Sequence, residues 1–358
     1  MNTAPTTLMT TALTAAGASA AFIPPAAVWG DGDLSEYGVG DYVMGCDLGG
    51  TNLEFAAVNR DMQILHRGSM PVPKADARSP GGIVKLFQEC ALACAEEFDA
   101  GPAAIGVGVP GAVDFDRGLV MDAPAFPLWR EVPMLKLLGE GLGIPAVIDN
   151  DANFYALGEA LSGAGRGLEN VVVLTLGTGV GGGIVLGGKV FHGDRGIAGE
   201  VGHVIVERGG LECGCGARGC LELYAASRAF PFHASKLPEA ERMALLERAG
   251  VDLHELTPEI LAKLTAEGGV TAAKLWMEFS SYLGMGIASM VSVLGVTTFI
   301  IGGGIARSFD RLHDPVMRGA APYLRESSFE MLNLIEGELG SNAGPIGAAS
   351  AAWALLEG

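Results

Sequence analysis

Basic residues are scarce in this chain. Its 358 residues include 23 Lys and Arg against 41 Asp and Glu, a formal net charge of −18. No run of Lys or Arg occurs, and the first basic residue is Arg60. Neutralising a phosphate backbone draws on clustered Lys and Arg, so nucleic acid is excluded as the main partner. The same lack deprives Thr11 to Ala21, small and apolar though it is, of the positive flank that a secretory signal needs. Residues 1–40, Ala/Thr-rich and Pro-containing, read instead as a flexible extension. Charged residues of both signs amount to 18% and apolar ones to 49%, which excludes an intrinsically disordered chain. Unbroken apolar runs are also missing. Tyr282 to Ile305 is uncharged and long enough to cross a bilayer. However, Gly284, Gly286, Ser289, Ser292 and Gly295 interrupt it, and Thr297 to Ile301 has the character of a strand. A buried helix followed by a buried strand is expected there, with no membrane span.

Glycine, by contrast, is abundant: 54 residues, about twice its usual share of roughly 7%. There is no G-X-Y period, so collagen is excluded. The glycines cluster beside apolar stretches, at Leu48-Gly49-Gly50-Thr51, from Gly177-Thr178-Gly179 to Gly183, and at Gly302-Gly303-Gly304. Such runs bring backbone close to a ligand, often a phosphate. At roughly 100 to 200 residues per domain the length predicts about two domains. Strands are expected over Tyr42 to Asp47, Leu53 to Asn59, Ile64 to Pro71, Ala103 to Val109 and Ala146 to Asp149, with a helix over Gly82 to Phe98. The order of strand, glycine turn and strand recurs at Val171 to Leu176, Gly182 to Leu186 and Lys189 to Phe191, followed by long helices and a strand at Thr298. Two halves that open alike imply a duplicated α/β architecture.

Two familiar nucleotide motifs fail on context. Gly106 to Gly111 and Gly177 to Gly182 both fit G-x-G-x-x-G, but Pro110 and the strand after Gly182 break the strand-to-helix setting that a dinucleotide site requires. Gly183 to Lys189 fits G-x-x-x-x-G-K, but Val190 stands where a Mg²⁺-binding hydroxyl is needed. Asp47-Leu-Gly-Gly-Thr-Asn52 is more informative. A carboxylate ends a strand, and the turn behind it offers N–H groups and a hydroxyl that can cradle a phosphate while the carboxylate approaches Mg²⁺. Asp149-Asn150-Asp151 sits between a strand and the helix-like Ala152 to Leu161. Those carboxylates could meet a ligand, or the segment could simply cap the helix.

Six cysteines are present, three of them within eight residues. His203-x9-Cys213-x-Cys215-x4-Cys220 offers three soft thiolates and one imidazole, a donor set suited to a tetrahedral structural Zn²⁺. Cys46, Cys90 and Cys94 lie on apolar faces and are expected in the core.

Together these motifs resemble the ROK family of bacterial sugar kinases and repressors. The resemblance runs from about Tyr42 to the C-terminus. It rests on Asp47-Leu-Gly-Gly-Thr51, Gly108-Val-Pro-Gly-Ala-Val-Asp114, Asn150-Asp-Ala-Asn153, Leu176-Gly-Thr-Gly-Val-Gly-Gly-Gly183, Gly199-Glu-Val-Gly-His203, Cys213-Gly-Cys-Gly-Ala-Arg-Gly-Cys-Leu-Glu222 and Ile301-Gly-Gly-Gly304, in that order. It implies the duplicated actin-like ATPase (ribonuclease H-like) fold of the hexokinases, with two domains flanking a cleft and a zinc-binding loop. The domains are expected at 41–150, with a helix at about 345–357 packing back, and at 151–344.

The resemblance also implies roles. Asp47, Gly49, Gly50 and Thr51 match the first phosphate loop, with Asp47 toward Mg²⁺ directly or through water. Thr178 and Gly179 match the second loop, and Gly303 and Gly304 the adenosine side. Asn150 matches a sugar ligand, Asp151 a sugar ligand and catalytic base, and Glu200, His203 and Glu222 ligands of sugar hydroxyls. His203, Cys213, Cys215 and Cys220 match a zinc site. Ala125 stands where many members carry Asn, so the preferred sugar is open.

The expectation is a cytoplasmic, homodimeric hexose kinase using Mg-ATP, with zinc bound, that converts glucose to glucose 6-phosphate. Fructose, N-acetylglucosamine, N-acetylmannosamine and allose are the alternative acceptors, and polyphosphate an alternative donor. A sugar-responsive repressor is the alternative of another class, disfavoured because the 40 residues ahead of the phosphate loop lack the basic residues of a DNA-binding helix-turn-helix.

Overall fold

The computed structural model describes residues 21–22, 34, 37–73 and 79–357. The expected flexible extension over 1–40 therefore lies mostly outside the described residues. The chain forms two compact units. One comprises Met1–Asn170, Gly183–Gly199 and Leu339–Gly358, the other Val171–Gly182 and Glu200–Glu338.

The first unit is built on a six-stranded sheet. Its strands are β1 (Ala21–Phe22), β2 (Val43–Leu48), β3 (Asn52–Val58), β4 (Ile64–Pro71), β5 (Ile105–Val109) and β9 (Ala146–Asn150), in the order β1-β9-β5-β2-β3-β4. Three further strands, β6 (Ala112–Asp114), β7 (Leu119–Asp122) and β8 (Arg130–Val132), form a small antiparallel sheet of their own. β2 runs parallel to β5 and β5 to β9, whereas β2, β3 and β4 form an antiparallel meander.

Side chains alternate across β2, as strand geometry requires. Met44, Cys46 and Leu48 enter a core with helix α1 (Pro80–Phe98) and helix α2 (Met134–Leu142), which contribute Ile83, Phe87, Cys90, Cys94 and Leu138. All three predicted core cysteines are buried there. Helix α1 begins two residues earlier than the periodicity suggests. Ser79 caps it by accepting from Gly82 N–H, and Pro80 occupies the first turn, where its missing N–H costs nothing.

The opposite face of the sheet holds Val43, Ala56, Val58 and Val147 against helix α3 (Asp151–Ser162) and the C-terminal helix, Ala343–Glu357. Here backbone meets backbone. A Cβ on Gly45 would lie 1.9 Å from Pro345 O, one on Gly106 2.0 Å from Ala348 O, and one on Gly347 1.8 Å from Phe154 O. Trp353 locks the far end by donating from Nε1 to Asn59 O at 3.0 Å. This packing carries α3 into the first unit, so that unit extends to Asn170 and not to the boundary at 150 expected from the sequence.

The second unit repeats the opening of the first. β10 (Val171–Leu176) is followed by a glycine turn and β11 (Val180–Leu186), which leads from the second unit into the first and on to β12 (Lys189–Val190). The helices α4 (Glu222–Ala225), α5 (Ala229–Ser235), α6 (Glu239–Ala249), α7 (Pro258–Ala266) and α8 (Val270–Leu294) come next, then β13 (Thr298–Gly302), helix α9 (Phe309–Ala320) and β14 (Asn333–Glu336). β10, β13 and β14 pair in parallel. By length and composition α8 could cross a membrane. In this unit it is a core helix that buries Trp276, Phe279, Leu283 and Ile287, and its Gly284 lies against α9, where a Cβ would be 2.5 Å from Val316 O. The uncharged run thus divides into helix and strand, as its glycines suggest.

The backbone contacts of the C-terminal helix yield a stability test. Gly106→Ala must push a helix off the sheet, an overpacking that costs about 1–3 kcal/mol. Gly81→Ala, in the first turn of α1 with nothing within 4 Å of the added methyl, should gain roughly 0.4–1 kcal/mol. Urea denaturation of the two variants should move the midpoint in opposite directions, and equal midpoints would contradict this account of the packing.

Candidate functional site

In the first unit, the parallel strands end in one row. The register places Asp47 of β2 beside Gly108 of β5, and Gly108 beside Asp149 of β9. Strand C-termini in open α/β sheets are where ligands meet the fold. Gly108 leaves room for the start of α3, since a Cβ there would lie 3.3 Å from Asp151 Cα. The row thereby brings Asp47 and Asp151 into electrostatic contact. Burial, then the charge of Asp151, then that of Glu54 push the Asp47 carboxyl up to about 7. Gly344, in the first turn of the C-terminal helix, adjoins the same carboxylate: a Cβ there would be 2.7 Å from Asp47 Oδ2. A half-buried carboxylate crowded by two others is a suitable donor for Mg²⁺, whose charge would relieve the crowding.

The turn after β2 is tight. Gly49 N–H donates to Asn52 O at 2.9 Å, and Val72 N–H donates to Thr51 O at 2.8 Å. Thr51 is exposed, and Gly49 and Gly50 are half-buried. Ala125 borders this turn, its Cβ 3.3 Å from where a Gly50 Cβ would be.

The capping question raised by the sequence is answered by Asn150. Its Oδ1 accepts from Ala152 N–H at 2.9 Å and Asn153 N–H at 3.2 Å, while Nδ2 donates to Gly111 O at 2.9 Å. Asp151 is the first helical residue, and it accepts from Ala152 N–H at 2.9 Å. A carboxylate here is favoured by the helix dipole. Asp149 is 2% exposed and fully engaged. Its Oδ1 accepts from Asn150 N–H at 2.7 Å and Asn153 Nδ2 at 2.9 Å, and its Oδ2 lies 2.7 Å from His192 Nε2. His192 was not legible as a site residue, because it matches no motif and lies 43 positions away from Asp149.

In the second unit, the strand ends again carry the glycine turns. Gly177 N–H donates to Gly179 O at 3.0 Å, closing the loop that holds Thr178. Thr175 of β10 pairs with Gly302 of β13, and Gly303, at φ +83°, packs so tightly that a Cβ would be 2.4 Å from Leu176 O. The turn with Thr178 and Gly179 and the turn with Gly303 and Gly304 are therefore neighbours. Glu222 joins them: its Oε2 accepts from Val180 N–H at 3.2 Å, and its Oε1 pairs with Arg228. The sequence marked Glu222 as a sugar ligand but missed its tie to this turn.

His203, Cys213, Cys215 and Cys220 come together, with one ligand atom from each lying within 4.8 Å of the others. Cys213 Sγ is 3.7 Å from His203 Nδ1, and Cys215 Sγ is 3.7 Å from Cys220 Sγ. Metal–sulfur bonds of about 2.3 Å at tetrahedral angles give ligand separations of this size, so the four donors fit Zn²⁺. The loop closes through Cys213 N–H to Ala217 O and Gly219 N–H to Leu211 O, both 2.8 Å. Only glycine suits position 219, where φ is +83° and a Cβ would lie 1.8 Å from Glu207 O. Hydrogen bonds from the Ala217 backbone and from Cys213 draw the Cys215 thiol below its ordinary value, whereas burial pushes Cys220 up to about 12. With Nδ1 in the cluster, His203 turns Nε2 toward Glu200 Oε2 at 3.7 Å.

The ROK family model matches residues 43–354. The chain is 32% identical over 313 residues to a glucokinase of Streptomyces coelicolor, covering 86% of this chain and 96% of that protein. A solved ROK family glucokinase of Streptomyces griseus, in complex with glucose and AMPPNP, is 30% identical and superposes with a TM-score of 0.71, covering 87% of this chain and 99% of that one. A putative xylose repressor of Caldicellulosiruptor sp. is 30% identical over 73% of this chain but only 65% of its own length. Motif order, strand-end geometry and these likenesses converge: the chain belongs to the ROK family and has the two-domain actin-like fold of that family's kinases.

Proposed function

We propose that this ROK protein is a sugar kinase that transfers the γ-phosphoryl group of ATP to a hexose, with glucose as acceptor and its 6-hydroxyl as nucleophile. The observation that carries the reading is the row of strand ends that brings Asp47 and Asp151 together beside the Gly49–Thr51 turn. Phosphoryl transfer asks little covalent chemistry of a protein. It needs positioning, charge neutralisation and a base for the hydroxyl proton. Asp151, at the N-terminus of α3, is the base that takes the hydroxyl proton at its carboxylate oxygen. Asn150 orients the sugar while its Oδ1 holds the helix start. Glu200, His203 and Glu222 bind sugar hydroxyls.

The turns at Gly49, Gly50 and Thr51 and at Thr178 and Gly179 donate N–H and hydroxyl groups to phosphates, and Gly303 and Gly304 leave room for the adenosine. Asp47 is the residue that would hold Mg²⁺, directly or through water, and when bound the ion offsets phosphate charge. His203, Cys213, Cys215 and Cys220 would hold Zn²⁺, which shapes the loop bearing the sugar ligands. On this reading the enzyme works in the cytoplasm as a homodimer, with hexose and ATP as its small-molecule partners.

A coupled kinase assay with Mg-ATP and a panel of hexoses tests the assignment. Glucose should give the largest kcat/KM. A best acceptor that is fructose or an N-acetyl sugar would overturn glucose but leave the kinase standing, and turnover of none would overturn both.

The role of Asp151 separates cleanly from helix capping, because Asn150 is the cap. Asp151→Asn should lower kcat by roughly 10²- to 10⁴-fold while melting temperature and glucose affinity stay near those of the parent. Undiminished turnover would remove Asp151 from the mechanism.

The metal is tested by elemental analysis and by Cys215→Ala. One zinc per chain is expected. Its loss should weaken glucose binding more than nucleotide binding, since the Gly177–Gly179 turn is closed by its own hydrogen bond and the loop reaches it through Glu222. A metal-free protein as purified would remove the site, and unchanged glucose affinity in the variant would remove its purpose.

A further inference from the structure

Asp149 poses a question that the roles assigned so far do not answer. It is a carboxylate 2% exposed, directly ahead of Asn150 and Asp151, and a buried carboxylate persists as an anion only when every oxygen is satisfied. Here both are. Oδ1 collects the Asn150 amide and the Asn153 side chain, and Oδ2 meets His192 Nε2 at 2.7 Å. The imidazole is itself held. It stacks on Phe115 with ring centroids 4.0 Å apart and planes within 15°. His192 O accepts from Ala198 N–H at 2.9 Å, closing the loop behind it. That loop is seated on β6, where a Cβ on Gly196, at φ +77°, would lie 1.8 Å from Val113 O. β6 also adjoins the Gly111 carbonyl that receives Asn150 Nδ2 at 2.9 Å.

We infer that His192 and Asp149 form a positioning pair for the phosphoryl-transfer reaction: the imidazole fixes the plane of the Asp149 carboxylate, which fixes the backbone and side chain on either side of Asp151. The inference rests on the kinase reading for its consequence, not for its geometry. The groups that Asp149 clamps are Asn150 and Asn153, so Asp151 lies inside a turn tied down at both ends. With no donor on Oδ2, the carboxylate is held through Oδ1 alone, and the turn that aims Asp151 loosens with it. Electrostatics agree. Burial disfavours a charge on His192, but the hydrogen bond and charge of Asp149, with the charge of Asp116, lift the imidazole above its ordinary value. A charge-assisted hydrogen bond is the stronger kind.

Two substitutions separate positioning from bulk packing. His192→Leu fills the space on Phe115 but donates nothing. His192→Gln sets an amide N–H where Nε2 was. In the kinase assay, His192→Leu should lower kcat by roughly tenfold to 10²-fold, the range a small misplacement of a reacting group costs. Its KM for ATP should stay within about twofold. His192→Gln should restore most of the lost kcat. Hydrogen–deuterium exchange of the 147–155 segment reads the same geometry without any turnover: exchange there should quicken in His192→Leu and return toward the parent rate in His192→Gln.

A kcat in His192→Leu within twofold of the parent overturns the inference. So does a loss of equal size in both variants, which would mark His192 as packing alone. Absence of kinase activity in the parent protein overturns the proposed function, and the exchange data then decide the positioning geometry by themselves: unchanged exchange in His192→Leu would remove it too.

Discussion

The structure of the first unit depends on how closely the C-terminal helix approaches the sheet. A helix that lies on strands through side chains keeps a layer of atoms between backbones. Here Gly45, Gly106 and Gly347 remove that layer, and carbonyls of the helix and of α3 occupy the space where a Cβ would be. The contact does more than bury area. It lowers Gly344, in the helix's first turn, onto the Asp47 carboxylate, and it sets Phe154 and Gly158 of α3 against the same helix. Asp47 and Asp151 arrive by different strands, but one helix seats both of the elements that carry them. In terms of sequence, the price of that placement is a set of positions that accept no side chain.

The second unit reaches a similar arrangement by other means. Its two glycine turns follow parallel neighbours, β10 and β13, so register alone sets them side by side. Glu222 then links one turn to the loop that ends at Cys220, while Tyr224 anchors that loop by accepting from Leu211 N–H at 2.8 Å. Tyr224 in turn stacks on Tyr282 of α8 at 4.5 Å, and Tyr282 donates to Glu207 at 3.2 Å. The four metal-type ligands therefore sit on a loop braced against a core helix. That bracing explains why so short a segment can hold three thiols and an imidazole at near-tetrahedral spacing before any ion is considered.

Much of this was legible in the sequence. β2, β4, β9, β10 and β13 lie where alternation and β-branched runs placed them, and α1 differs only by a cap and a proline at its start. The His-Cys cluster was legible because its ligands are local, within the 18 positions from His203 to Cys220. The small sheet of β6, β7 and β8 was not, since strands of three or four residues carry too little periodicity to register. The compact units divide elsewhere than at the boundary expected at 150 for a related reason. Whether α3 belongs with the strand before it or with the chain after it is decided by Gly158 and Gly347, nearly 190 positions apart. His192 shows the limit most clearly: its partner, its stacking ring and the strand under its loop all come from elsewhere in the chain.

The scarcity of basic residues, read first as an exclusion, bears on how a polyanion is handled. The turns Gly49–Thr51 and Gly177–Gly179 contain no Lys or Arg, and Arg67 of the first unit is already paired with Glu54 at 3.4 Å. Arg228 beside the second turn is already paired with Glu222. On the proposed kinase reading, phosphate oxygens at such turns meet backbone N–H dipoles, which attract without adding net charge. On that reading neutralisation comes with the nucleotide's divalent ion, and the Asp47 carboxyl, raised to about 7 by burial first and then by the charges of Asp151 and Glu54, is the group such a cation would face. On that reading, a protein of net negative charge holds phosphates through backbone dipoles together with the nucleotide's own cation.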